Sequence, residues 1–281
     1  DLAAAALRDL GVSEDFVCPE PVRYTHRRTA DREIYFVANR TDQPLQTTAA
    51  FRVGTGAPEL WNPMTGQVRS LPQYRRGAGD TEIPLHFEPF ESYFVVFPTR
   101  RSAAVASPGA GARNFSECTE LQTLTGAWDV SFDASLGAPA SVRFETLQDW
   151  TQRPEPGIKY YSGIAAYRTT FHLPAEPVAA ASQAILLDLG QVRVMARVRV
   201  NGADCGVVWT APWRVDISRA LKPGSNTLEI EVANLWPNRM IGDAALPELK
   251  FARTTYRPYK AGDPLLPSGL LGPVRLLKAA D

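Results

Sequence analysis

The chain has 281 residues, with thirty Lys and Arg balanced by thirty Asp and Glu and 44% apolar residues. At about 150 residues per domain this length suggests two domains, each large enough to bury a core of its own. The charge balance excludes the basic face that nucleic acid or an anionic membrane surface would select, and no apolar run approaches the roughly 20 residues of a membrane span.

In chain order, residues 2 to 10, LAAAALRDL, predict a short helix stopped by Gly11. One helix cannot bury its own apolar stripe, so residues 1–16 are expected to be the helical remnant of a preceding domain. A start with neither Met nor a basic leader reads as a processed chain or an excised piece. From about residue 22 the pattern changes to period two, in EIYFVAN, TTAAFRV, ELWNP, TEIPLHF and ESYFVVF, separated by the turn sequences RTDQP, NPMTGQ and RRGAGD. Residues 17–98 therefore predict a small antiparallel β-sandwich.

Residues 99–116, TRRSAAVASPGAGARNFS, are small and aperiodic, which predicts a linker. Strands resume over 117–281. AWDVSFD turns Trp128, Val130 and Phe132 to one side, YRTTFHL alternates from Tyr167, and AILLDLG, VMARVRVNG, CGVVW, WRVDIS, NTLEIEVAN and PVRLL follow. Many short strands with no amphipathic helix between them predict an all-β protein whose second domain is a jelly-roll β-sandwich.

Within this second domain, VRVNGADCGVVW carries the Asn201-Gly202 turn of a hairpin. Trp213 alternates with Val215 and Ile217 and belongs in the core, whereas Trp209 ends a strand and is expected to expose its ring. Trp61, in ELWNPMTGQ, reads as packed. Asp188 and Asp216 sit in strand texture, pointing outward or capping turns. Cys18, Cys118 and Cys205 and the three histidines are scattered without metal-ligand spacing, and no nucleophile, metalloprotease or nucleotide motif is present.

The densest polar stretch is EVANLWPNRMIGD, residues 231 to 243. Tryptophan can stack on the C–H face of a sugar while amides, arginine and carboxylate bond its hydroxyls, so Trp209, Trp236, Asn238, Arg239 and Asp243 are candidate sugar-binding residues. The same set also suits a well-tied turn, with Asn234 bonding the strand exit and Arg239 paired with Asp243. Leu228, Ile230 and Val232 take the inner face of the preceding strand. The chain should then leave the sandwich near Asn234 as an exposed loop, with Trp236 and Arg239 facing the same cleft as Trp209.

Several of these segments together resemble a known family. YSGIAAYRTTFHLP, the run from LLDLGQVRV through VANLWPNR, and LPSGLLGPVRLL are similar to the galactose-binding-like jelly roll of glycoside hydrolase family 2. NLWPNRMIGD and LPSGLLGPV draw the likeness toward the C-terminal part of glycoside hydrolase family 106, the α-L-rhamnosidases. Upstream, YTHRRTADREIYFVANR, ELWNPMTG and FEPFESYFVVF resemble the β-domain that follows the barrel in that family.

The resemblance implies a secreted or periplasmic enzyme that removes terminal α-L-rhamnose with inversion and with help from calcium. It also implies that the chemistry resides in a (β/α)8 barrel preceding these sandwiches. No stretch here alternates strand and helix as a barrel requires, so no catalytic residue is carried over. The implied partners are a rhamnose-containing glycan or glycoside and the missing barrel, and the five candidate residues would edge a sugar site or meet the barrel face beside one. A free-standing lectin-like module, a purely structural brace and an enzyme complete in this chain remain as alternatives.

Overall fold

A computed structural model describes residues 9–99, 112–115, 118–174, 184–252 and 254–279, and the chain divides into two compact units, Asp1–Ser116 with Asp281 and Glu117–Ala280. Most of the helix expected over residues 2 to 10, and most of the linker expected over 99–116, lie outside the described residues. Among the described residues no helix is long and apolar enough to cross a membrane.

The first unit is built from two antiparallel sheets. One has five strands in the order Val22–Arg28, Arg32–Asn39, Ser92–Pro98, Glu59–Trp61, Val68–Ser70; the other has four, Phe16–Val17, Leu45–Phe51, Thr81–Phe87, Arg75–Arg76. Alternation sets their inner faces: in Thr81–Phe87 every second residue is buried. Tyr35, Val37, Phe51, Ile83, Phe87 and Val95 all reach zero exposure in the shared core. Trp61 is half-buried, as its strand texture predicts, and its Nε1 donates to Glu59 at 2.9 Å. The end of the supposed linker is anchored in this unit. Asn114 is buried, donates to the carbonyls of Gln73 and Pro84 and accepts from the Gln73 amide, while Phe115 packs against the core.

In the second unit, a six-stranded sheet runs Ser141–Phe144, Trp128–Ser131, Ile164–Leu173, Gly224–Ala233, Met195–Val200, Ala203–Val208. It is accompanied by a four-stranded sheet, Cys118–Thr123, Arg275–Ala279, Ile185–Asp188, Arg214–Asp216, and by the pair Gln191–Arg193 with Gly269–Gly272. Trp128, Val130, Tyr167, Leu228, Ile230 and Val232 face the core, as their alternation predicts, and Trp213 packs on its margin. The Asn201-Gly202 turn has positive φ at both residues, the geometry of a type I′ hairpin. Asp188 is buried rather than outward; it caps the turn by accepting from the Gly190 amide at 2.8 Å and is held by Arg214 at 3.0 Å. Asp216 caps Ser218 in the same manner at the surface.

A buried polar knot closes one end of this core. Trp150 Nε1 donates to the Tyr167 hydroxyl at 2.5 Å, which also accepts from the Leu270 amide, and burial pushes the Tyr167 phenol well above its ordinary range. Gly269 has φ +102°, and a Cβ there would lie 2.5 Å from Trp150 Nε1. Gly269→Ala is accordingly expected to cost about 1–3 kcal/mol by overpacking this knot, measurable as a lower denaturation midpoint.

One expectation fails here. Residues 237–245 form an α-helix, Pro237–Ala245, where an exposed loop and no intervening amphipathic helix were expected. Proline at the first helical position supplies the fixed φ and needs no N–H partner, and the Met240 amide donates to the Trp236 carbonyl in the opening turn. Gly242 permits the close seat against Tyr160, since a Cβ would meet the Tyr160 side chain at 2.5 Å.

Candidate functional site

Two surfaces of the second unit concentrate chemistry. The first is the end of the six-stranded sheet at which the tryptophans emerge. Ile164 and Met195 lie opposite Ala233 on its two neighbouring strands, and one further step of the Ala196–Val208 register brings Trp209 alongside Met195. The next strand leaves this same end through Asn234, Leu235 and Trp236. Trp209 is 56% exposed and Trp236 62%, and Ile164, Met195 and Leu235 are exposed beside them in the fold. The result is an apolar rim with two flat rings, unusual for a sheet end in contact only with water.

Beneath the rim the polar residues are tied inward. Asn234 accepts from the Gly163 amide at 3.0 Å and donates to the Tyr161 carbonyl at 2.8 Å, fixing the strand exit. Asn238 is 1% exposed; its Nδ2 donates to the Leu266 carbonyl and to Ser268 Oγ, and its Oδ1 accepts from the Leu266 amide. Arg239 and Asp243 are 4% and 8% exposed and form an ion pair one helical turn apart, Nε to Oδ1 at 2.8 Å, although this N–H is not aimed along the contact as a hydrogen bond requires. Asp243 also accepts from the Phe251 and Ala252 amides, and the Arg239 guanidinium lies 4.9 Å over the Phe251 ring.

Of the five candidate residues, then, Asn238, Arg239 and Asp243 share the buried face of one helix, Trp236 precedes that helix on the surface, and Trp209 stands on a separate strand at the same sheet end. Arg239 does not face a cleft with Trp209. Its neighbours are the helix it belongs to and Phe251, because a guanidinium with a carboxylate one turn away is better satisfied inside than left to water.

The second surface was not anticipated. On the outer face of the six-stranded sheet, the register aligns Arg143, Asp129, Arg168, Glu229 and Arg199 in one row across five strands. Arg168 Nε donates to Glu229 at 2.7 Å and Arg199 Nη1 to the other oxygen of the same carboxylate at 2.8 Å. Desolvation works to raise the Glu229 pKa, but the bonds from Arg168 and Arg199 outweigh it and hold the carboxyl below its usual range. The row floors an open cavity of about 530 Å3, edged by Ala127, Gly202 and the facing Thr170 and Thr227. No sequence motif marks it; each member reads as one polar residue in an alternating strand.

Calcium, implied by the family resemblance, finds no obvious seat. Among the described residues no three of His, Cys, Asp and Glu converge as metal ligands would. His26, the best-surrounded histidine, lies between Asp15 and Glu33 and stacks on Tyr35 at 3.9 Å, a structural tie within the first sandwich. The three cysteines are free thiols.

Comparison with known proteins agrees with the two-part sequence. Residues 1–76 match the family model described as glycoside hydrolase 106, alpha-L-rhamnosidase, and residues 161–258 match that of the glycosyl hydrolase 2 galactose-binding domain-like family. The structure of a rhamnosidase from Novosphingobium sp. PP1Y is 38% identical, covers 98% of this chain and superposes with a TM-score of 0.85. A putative beta-glucuronidase of Formosa agariphila is 40% identical over 178 residues, 54% of this chain. The chain spans only 26% of the rhamnosidase and 15% of the glucuronidase. It is thus a pair of glycoside-hydrolase-associated β-domains with a galactose-binding-like second unit.

Proposed function

We propose that this chain is the carbohydrate-recognition and active-site-rim portion of a secreted or periplasmic α-L-rhamnosidase-like glycoside hydrolase, with the chemistry performed by a barrel outside it. The observation that carries this reading is the likeness to the Novosphingobium rhamnosidase over 98% of the chain, at a length only 26% of that protein. In this reading Trp209 and Trp236 offer their rings to the apolar face of a sugar. Asn238, Arg239 and Asp243 act one layer below, fixing the helix whose first turn begins at Trp236.

The test is titration of the chain with methyl α-L-rhamnoside and rhamnose-terminated oligosaccharides, by calorimetry, alongside thermal melts. Trp236→Ala and Trp209→Ala are each expected to weaken binding by about 1–3 kcal/mol through lost stacking area while leaving the melting temperature nearly unchanged, since both rings are already exposed. Unaltered affinity in both variants would remove the sugar-contact role. A second reading is favoured by the same rim. Exposed Ile164, Met195 and Leu235 beside two tryptophans would suit a covered interface, making the unit a brace for the barrel. Normal melting with no glycan binding by the parent chain would select that alternative.

A further inference from the structure

We propose that the outer face of the six-stranded sheet is a second glycan site, taking a neutral oligosaccharide that lies across the strands along the Arg143, Asp129, Arg168, Glu229, Arg199 row. The inference rests on the carbohydrate-recognition reading but concerns a surface distinct from the tryptophan rim. Its basis is the order of charges. The row alternates guanidinium and carboxylate on five successive strands, with every member on the face opposite the core. Strands lie about 4.8 Å apart, so the five positions span roughly 19 Å as a fixed array of alternating donors and acceptors.

A hydroxyl both donates and accepts, so a polyhydroxylated chain can satisfy each member of such an array in turn. A polyanion would meet Asp129 and Glu229 as repulsive groups at every second step. A hydrophobic ligand would have to strip water from paired charges with nothing to replace it. The arginines retain capacity for this role. Arg168 spends Nε on Glu229 and Nη1 on Ser131, leaving Nη2 toward solvent, and Arg143 is 64% exposed with its nearest Asp129 oxygen 3.6 Å away.

Cross-strand ion pairs alone would account for sheet stability. They do not require the open space above them. That space, about 530 Å3, persists because Ala127 and Gly202 at its margins and the Thr170 and Thr227 pair at its side carry small side chains. It lies within the range of small-molecule sites, and threonine hydroxyls add further partners without closing the cavity.

The site is tested on the full 281-residue chain with cellotetraose, xylotetraose and mannotetraose as neutral probes and tetragalacturonic acid as the charged control. At least one neutral tetrasaccharide should bind, with little dependence on salt because the charges are internally paired. Thr227→Trp and Thr170→Trp, each filling the cavity from an exposed strand position that accepts aromatics, should weaken that binding roughly tenfold or more with the melting temperature preserved. Trp209→Ala should leave it unchanged.

The proposal is overturned if no neutral tetrasaccharide binds at about 10 mM, if both filled variants bind as the parent does, or if tetragalacturonic acid binds more tightly than every neutral probe. Loss of binding in Trp209→Ala with none in Thr227→Trp would sink this site and leave the rim reading intact. Loss in Thr227→Trp alone would support this site and count against the rim.

Discussion

Asp243→Ala is expected to destabilise the second unit by about 3–5 kcal/mol, lowering its melting temperature by roughly 6–20 °C. The carboxylate is nearly inaccessible and gathers three groups, the Arg239 guanidinium and the backbone amides of Phe251 and Ala252. Truncation leaves a buried cation without its counter-charge and two amides without their acceptor, and the packed surroundings admit little water to replace it. The arrangement predicts strong coupling. Arg239→Met combined with Asp243→Ala should lose clearly less than the sum of the two single changes, because the second substitution removes the charge that the first leaves stranded. Additive losses, or a cost below about 1 kcal/mol for Asp243→Ala, would show that the pair is solvated in solution. The same experiment bears on function, since the Pro237–Ala245 helix sets where the Trp236 ring stands.

The strands of both sandwiches were legible because their inner faces are apolar at every second residue, as in Thr81–Phe87 and Gly224–Ala233. The helix at 237–245 was not, for a physical reason. Its buried residues are Asn238, Arg239, Ile241, Gly242 and Asp243, so the stripe that faces inward is mostly polar and a search for apolar residues at helical spacing passes over it. The signals that could have found it were Pro237 at a helix start and the Arg239 to Asp243 spacing of four. These had been assigned to sugar contact, which reversed the orientation of three side chains.

The two tryptophans differ from those three because exposure at a strand end follows from position alone. Trp209 comes just after its strand and Trp236 three residues beyond the end of another, and no core position is open to either. The charge row lies at the opposite extreme. Asp129 and Glu229 are 100 residues apart in sequence and become near neighbours only through the pairings of Trp128–Ser131, Ile164–Leu173 and Gly224–Ala233, and a one-residue slip in any of them would turn its residues to the other face. Register of this kind is set by the whole sheet and has no local motif.

The purified chain is expected to release no aryl alcohol from an aryl α-L-rhamnoside above the uncatalysed rate, a deficit of at least ~10^6 relative to an ordinary enzyme. Inverting hydrolysis needs one carboxyl kept protonated as the acid and a second roughly 6.5–9.5 Å away to activate water. The acidic side chains of the second unit are arranged the opposite way. Hydrogen bonds from Ser135 lower the pKa of Asp133, those from Arg153 lower Glu155 and those from Arg197 lower Asp204, while Asp188 and Asp243 are engaged by arginines. In the first unit the contrary case is Glu91, which burial pushes upward despite its bond from the Glu88 amide. Its nearby Glu88 is drawn toward His86, and the strand Ser92–Pro98 that follows is packed into the core, so substrate access is poor. Glu91→Gln supplies the decisive control. Turnover by the parent chain that survives repurification and disappears in Glu91→Gln would make this an enzyme complete in 281 residues, whereas inactivity in both accords with chemistry located elsewhere in a longer protein.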